Sequence, residues 1–238
     1  MSQTILFASG KGGVGKSTLC LHLAGGLARR GRRVLVVETA CGFRGLDTML
    51  GLPGDTVYDL SDALEGRCSL GEAIRAHEES ELRLMPAPSD PDYLPGEEKL
   101  DAFFHWGREA WDFFLVDCAT GFSPFTRRMA RRCGRAVLVT APEEVSARCT
   151  GRLSALLAQE GLLDQRLVID RLPREFVPTP SLRDLDDVID LAGARLLGVV
   201  PEQPGLPPPG DRPPEGAAGQ ALEAITHRLL GERVELTL

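Results

Sequence analysis

Residues 10–18 read GKGGVGKST, the stretch of this chain with the densest chemical content. Gly10, Gly15, Lys16 and Ser17 meet the spacing G-x-x-x-x-G-K-[ST]. Glycines at 10, 12, 13 and 15, with Val14 between them, let the main chain curl so that several N–H groups face one point. A helix start behind them adds partial positive charge, and the two together suit a phosphate group. Lys16 is placed to reach the β- and γ-phosphates of a nucleotide, and the Ser17 hydroxyl, followed by Thr18, to ligate Mg²⁺. A second lysine, Lys11, stands inside the same loop. A second stretch, FFLVDCATGF at 113–122, is an apolar run that ends in Asp117. A carboxylate at the carboxyl end of a strand suits the water shell of Mg²⁺. Gly121, four residues on, is expected to bring a main-chain N–H toward the γ-phosphate. A third stretch, VVETACGFRGLD at 36–47, leaves an apolar run through Glu38 and Ala40.

These residues need elements to hold them. Apolar, strand-like runs fall at 4–8, 33–37, 82–86, 113–117, 136–140, 167–169 and 196–200. Most are continuous, as in strands covered on both faces. Helical patterns lie between them, near 17–30, 59–76, 97–110, 123–132, 144–160, 182–192 and 216–230. Strands alternating with helices predict an α/β, doubly wound, mainly parallel sheet of about seven strands, of the P-loop type. The chain reads as one domain over 1–238. Prolines through 201–216 forbid helix and central strand there, so an extended loop within that domain is expected.

The totals agree with this plan. The 238 residues are 43% hydrophobic and 26% charged, an ordinary soluble composition. No apolar run approaches the ~20 residues a membrane span needs. The N-terminus lacks the basic start and cleavage site of a signal peptide. Six cysteines with no C-x-x-C pair read as reduced thiols, and a cytoplasmic setting is expected. The formal net charge of −7 argues against a broad nucleic-acid surface, so DNA binding is not expected. One basic stripe is an exception, with Arg127, Arg128, Arg131, Arg132 and Arg135 close together. It is open to two readings, a patch for DNA, acidic lipid or an acidic partner, or a solvated helix face.

The doubled lysine K-G-G-x-G-K resembles the deviant Walker A loop of the bacterial MinD/ParA family of ATPases. The likeness covers nearly the whole chain and is closest to the family's division-site members. It runs through RRVLVVE and GFRGLDTMLGL, VYDLSDALEGRCSLGEAI and LRLMPAP. It continues in LVTAPEEVSARCTGRL, with Arg148 and Arg152 on pattern, and in DDVIDLAGARLLGVVPE. The resemblance implies an ATP–Mg²⁺ switch between monomer and homodimer, with Lys11 reaching the partner subunit's nucleotide. It also implies docking on a membrane, recruitment of a protein partner and a part in spatial regulation of division.

Four departures temper what carries over. The family usually has two aspartates after the second strand, and here those positions are Glu38 and Ala40. Alanine neither accepts a proton nor orients water, so slow or lost hydrolysis is expected, with Glu38 a partial substitute. Where the family often has an asparagine for the base, this chain has Asp170, followed by Arg171. A carboxylate only accepts hydrogen bonds, which keeps GTP open beside ATP. The end, AITHRLLGERVELTL, lacks the lysines of a basic amphipathic helix, so no independent membrane anchor is expected and membrane association would need a partner. Between the two arginines the family's acidic residues are replaced by Cys149 and Gly151, which puts its usual partners in doubt. A non-hydrolysing nucleotide-dependent adaptor and a ParA-like cargo or DNA segregation factor are the alternatives.

Overall fold

The computed structural model describes residues 2–54, 57–76, 82–207 and 213–236. Its central sheet has β1 (Gln3–Ala8), β2 (Val34–Glu38), β4 (Leu82–Met85), β5 (Phe113–Asp117), β6 (Arg135–Thr140), β7 (Gln165–Leu172) and β8 (Arg195–Pro201), all parallel. An eighth strand, β3 (Arg75–Ala76), pairs antiparallel with β4, giving the order β3-β4-β2-β5-β1-β6-β7-β8. β1 lies between β5 and β6, so the chain crosses to opposite sides of the sheet around it. That is where an open α/β sheet leaves a crevice at its strand ends.

Side chains alternate across each strand, and both faces are covered. Leu6, Leu35, Phe114 and Val116 pack on one face with Phe103 and Phe104 of α5 (Glu97–Ala110) and Leu153 and Leu157 of α7 (Glu144–Gln159). Ile5, Val34, Val36 and Leu115 pack on the other with α1 (Lys16–Ala28) and α9 (Gly216–Leu229). α1 is buried on nearly every side. A methyl group added at Gly26 of α1 would lie 2.7 Å from the Thr226 hydroxyl of α9.

Three local expectations change. The single helix expected over 59–76 breaks into α3 (Leu60–Leu64), α4 (Leu70–Ala73) and β3. Asp59 and Ser69 each start a new helix with a reciprocal capping box, and Gly66 turns the chain between them at φ 73°. A short α2 (Leu46–Met49) follows β2, where no helix is expected. The helix expected over 182–192 begins later as α8 (Leu185–Ala192), because the Asp184 side chain caps it by accepting from the Asp187 N–H. In the Pro-rich segment, 208–212 lie outside the described residues.

The arginine stripe lies on and just after α6 (Pro124–Ala130), and its charges are answered by acids. Arg127 and Arg131 both reach Glu160, at 3.0 and 2.7 Å. Arg132 meets Glu97 and Asp101 at 2.7 and 2.8 Å, and Arg135 meets Asp164 at 2.8 Å. The stripe is a brace between α5, α6 and the turns after α7. Gly151, one of the four departures, sits on α7 where a side chain would come within 2.2 Å of the Leu191 carbonyl of α8. Close helix packing accounts for glycine at that position.

Candidate nucleotide site

The loop after β1 reaches α1 through Gly15, which sits at φ 87° as its N-cap. L side chains rarely adopt that conformation, and a Cβ there would also fall 1.8 Å from Asp170 Oδ2. At Gly10 a Cβ would lie 2.4 Å from the main chain of Cys149, so α7 is packed directly onto the loop. No side chain caps α1 and its first turn holds no acidic residue. Its leading N–H groups and partial positive charge are left for an anion, which fits a phosphate.

Beside the loop, Lys16 Nζ donates to Asp117 Oδ1 at 2.7 Å and approaches Ser17 Oγ at 3.1 Å. Ser17 Oγ donates to Asp117 Oδ2 at 2.7 Å. The Lys16 and Asp117 side chains are only 9% and 3% exposed, so this is a buried charge pair. A cleft of about 340 Å³ opens over them, reached by Gly13, Val14, Thr18 and Ala40. One hydroxyl and one carboxylate side by side suit Mg²⁺, which takes most of its remaining ligands from phosphate and water. Among the described residues no cluster of three or more His, Cys, Asp or Glu would hold a metal by protein ligands alone. All six cysteines are free.

Glu38 ends β2 beside Asp117 and is buried. Its Oε1 accepts from the N–H groups of Gly45 at 2.9 Å and Leu46 at 3.2 Å, and Oε2 from Ala87 at 3.4 Å. Burial pushes its carboxyl above the usual range, against the pull of those three donors. The carboxylate therefore anchors the start of α2 and the strand end of β4. Ala40 follows at the mouth of the cleft.

Other expected residues fall less simply. The Gly121 N–H is spent on the Ser9 carbonyl at 2.9 Å and does not face the cleft, whose wall there is Ala119 and Thr120. Lys11 and Gly12 line a neighbouring hollow, where Lys11 Nζ pairs with Glu143 at 2.5 Å. Asp170 and Arg171 lie at a bulge in β7, and Arg171 holds φ 59°, the only positive φ outside glycine among the described residues. A bulge and a strained φ beside a site re-aim side chains. Arg171 lines the phosphate cleft, the Lys11 hollow and a third cleft of about 290 Å³ that also holds Asp170, Gly15, Thr18, Glu202 and Gln203. Sequence reasoning missed Asp59, a buried carboxylate that accepts from Ser61, Ser89 and Arg44. Its capping pattern Asp59-x-x-Asp62 is a legible signal, while its link to Arg44 is not.

A phosphate loop leaving the central strand, with a lysine, a hydroxyl and a strand-end carboxylate converging on it, defines a P-loop nucleotide-binding protein. Residues 5–208 match the CobQ/CobB/MinD/ParA nucleotide binding domain, and the chain belongs to that family. The septum site-determining protein MinD of Bacillus subtilis (strain 168) is 32% identical over 248 residues, 99% of this chain and 92% of that protein. Among solved structures, MinD in the MinC:MinD cell division protein complex of Aquifex aeolicus superposes with a TM-score of 0.85. It is 30% identical, with 100% of this chain and 99% of that chain covered. The MinD complexed with Mg-ADP from Pyrococcus horikoshii OT3 gives a TM-score of 0.81 at 25% identity, covering 96% of each chain.

Proposed function

We propose that this protein is a MinD-like nucleotide switch that binds ATP–Mg²⁺, dimerises on it and serves division-site placement or a related spatial task. The observation that carries this reading is the convergence of Lys16, Ser17 and Asp117 beneath an uncapped α1. With nucleotide bound, Lys16 would exchange Asp117 for phosphate oxygens, and Ser17 and Asp117 would hold Mg²⁺. Bound Mg²⁺ neutralises charge on the phosphates. Lys11 leaves Glu143 to reach the partner subunit's nucleotide. The Mg-ADP and MinC complexes of the archaeal and Aquifex relatives support the cofactor and a second protein as partner.

Hydrolysis is slow. Ala40 supplies no base, and Glu38 is committed to three main-chain N–H groups. The same two observations favour a second reading, an adaptor whose bound nucleotide stabilises a docking surface without a catalytic cycle. A DNA-segregation role is disfavoured, because Arg127, Arg131 and Arg132 of the stripe are engaged by Glu160, Glu97 and Asp101 within the fold. Size-exclusion chromatography with ADP, ATP or GTP tests the switch. A dimer with Mg²⁺-ATP that is lost in Lys16→Ala supports it, and a monomer in every nucleotide contradicts it.

A further inference from the structure

Asp170 is fixed on three sides. Its Oδ1 accepts from the Arg171 N–H at 2.8 Å, the bulge holds its main chain, and its Oδ2 lies against Gly15 of the phosphate loop. Among the described residues Oδ2 accepts no hydrogen bond, and Asp170 lines the cleft beyond the phosphate loop. That cleft continues from the α1 N-terminus over Thr18 toward Pro204 and Leu206, the place and apolar character a purine ring needs. A base lying there meets a carboxyl group held in one orientation.

An ionised carboxylate offers only acceptors, whereas a protonated one offers one donor and one acceptor. Adenine presents an amino donor beside a ring-nitrogen acceptor, which a carboxamide can answer with both of its groups. A carboxylate cannot answer the ring nitrogen, and places two lone-pair oxygens against it. A protonated carboxyl can answer both. Guanine, with two adjacent donors on its pairing edge, suits the ionised form.

We propose, resting on the nucleotide-binding reading above, that Asp170 chooses the base by its protonation state, so that binding ATP takes up a proton at Asp170 and binding GTP does not. Burial pushes the Asp170 carboxyl up to about 6, against the Arg171 N–H and guanidinium that pull it down. Among the described residues, the other charged groups lining this cleft are Arg171 on its own strand and Glu202 after β8. The phosphate loop, α1 and α9 contribute Gly15, Thr18 and Ala218, which carry no charge. His22, further along α1, is pushed down to about 4 by burial and stays neutral over the range that matters.

The size of the effect follows from the competent fraction. If only the protonated form takes adenine, apparent ATP affinity weakens roughly 25-fold between about pH 5.5 and about pH 7.5. If only the ionised form takes guanine, apparent GTP affinity tightens about fourfold over the same range. Effects on the triphosphate and Mg²⁺ are common to both nucleotides and cancel in the ratio, which shifts by roughly 100-fold toward GTP.

Isothermal titration calorimetry of the full chain with Mg²⁺-ATP and Mg²⁺-GTP, at both pH values and in two buffers of different ionisation heat, is the test. The expected result is the ratio shift together with net proton uptake for ATP, relative to GTP, at the higher pH. Asp170→Asn, with folding checked by thermal unfolding, should prefer ATP with a pH-independent ratio. A wild-type ratio that does not move, or a shift that survives in Asp170→Asn, overturns the proposal. The wild-type proton count decides the matter even if the variant does not fold. Failure of both nucleotides to bind at either pH overturns the nucleotide reading as well, and is distinct from binding without a pH-dependent ratio.

Discussion

Replacing Glu38 separates an anchor from a base. Its carboxylate is 3% exposed and receives N–H donors from Gly45, Leu46 and Ala87, at 2.9, 3.2 and 3.4 Å. Glu38→Ala removes the acceptor and leaves buried N–H groups without partners, at about 1–3 kcal/mol for each well-made bond. Counting the two shorter bonds, the expected loss is about 2–6 kcal/mol. Glu38→Gln keeps one carbonyl acceptor for Gly45 and Leu46 but turns an amide toward Ala87. Because burial outweighs the three donors and makes ionisation unfavourable here, the amide should cost only about 1 kcal/mol. Urea unfolding at neutral pH reads both values as shifts of the midpoint with unchanged slope. Phosphate release by folded Glu38→Gln should stay within about threefold of the parent, far less than the ~10²–10⁴-fold cost of losing a general base. A Glu38→Gln protein that unfolds like the parent yet loses turnover by about 100-fold would refute the anchor and make Glu38 the base.

Three further outcomes follow from other parts of the fold. Burial raises the Asp59 carboxyl, but hydrogen bonds from Ser61 and Ser89 outweigh it and hold it down at about 2. Its folded value is depressed, so its contribution is present above about pH 4 and lost as pH falls toward 2. At about 1.4 kcal/mol per unit, Asp59→Asn should lose about 2 kcal/mol at neutral pH and converge with the parent in acid, read by urea unfolding across pH. Replacing Arg127, Arg128, Arg131 and Arg132 by alanine should leave DNA and anionic-vesicle binding at the parent level while lowering the melting temperature, because Glu160 and Glu97 lose their partners. Glu143→Gln frees Lys11 from its cis partner and should raise the ATP-dependent dimer fraction in size-exclusion chromatography; a lower fraction would mean that Glu143 itself belongs to the dimer contact.

Much of the site is legible because its signals are local. The glycine spacing of 10–18 demands a curled main chain, and the continuous apolar run of 113–117 demands a strand covered on both faces. The helix 97–110 is read to both ends, with Phe103 and Phe104 one face and charged residues the other. What escapes the sequence is set by long-range partners. The Gly121 N–H faces Ser9, more than a hundred residues away, and the arginines of 127–135 find acids on α5 and in the turns after α7. The break within 59–76 was written in Asp59, Gly66 and Ser69, but apolar periodicity masks such caps. Glu38 reads as a carboxylate near a nucleotide, and only the fold reveals which N–H groups use it.

The central claim is a nucleotide site kept with its hydrolysis weakened at Ala40, the half-buried residue at the mouth of the cleft. The direct measurement is phosphate release from Mg²⁺-ATP by the parent chain and by Ala40→Asp, with ATP binding measured on the same samples. The account predicts that both bind ATP, that the parent releases phosphate slowly, and that the added carboxylate raises release by about 100-fold or more. Fast release by the parent, abolished in Lys16→Ala and unchanged in Ala40→Asp, would contradict it.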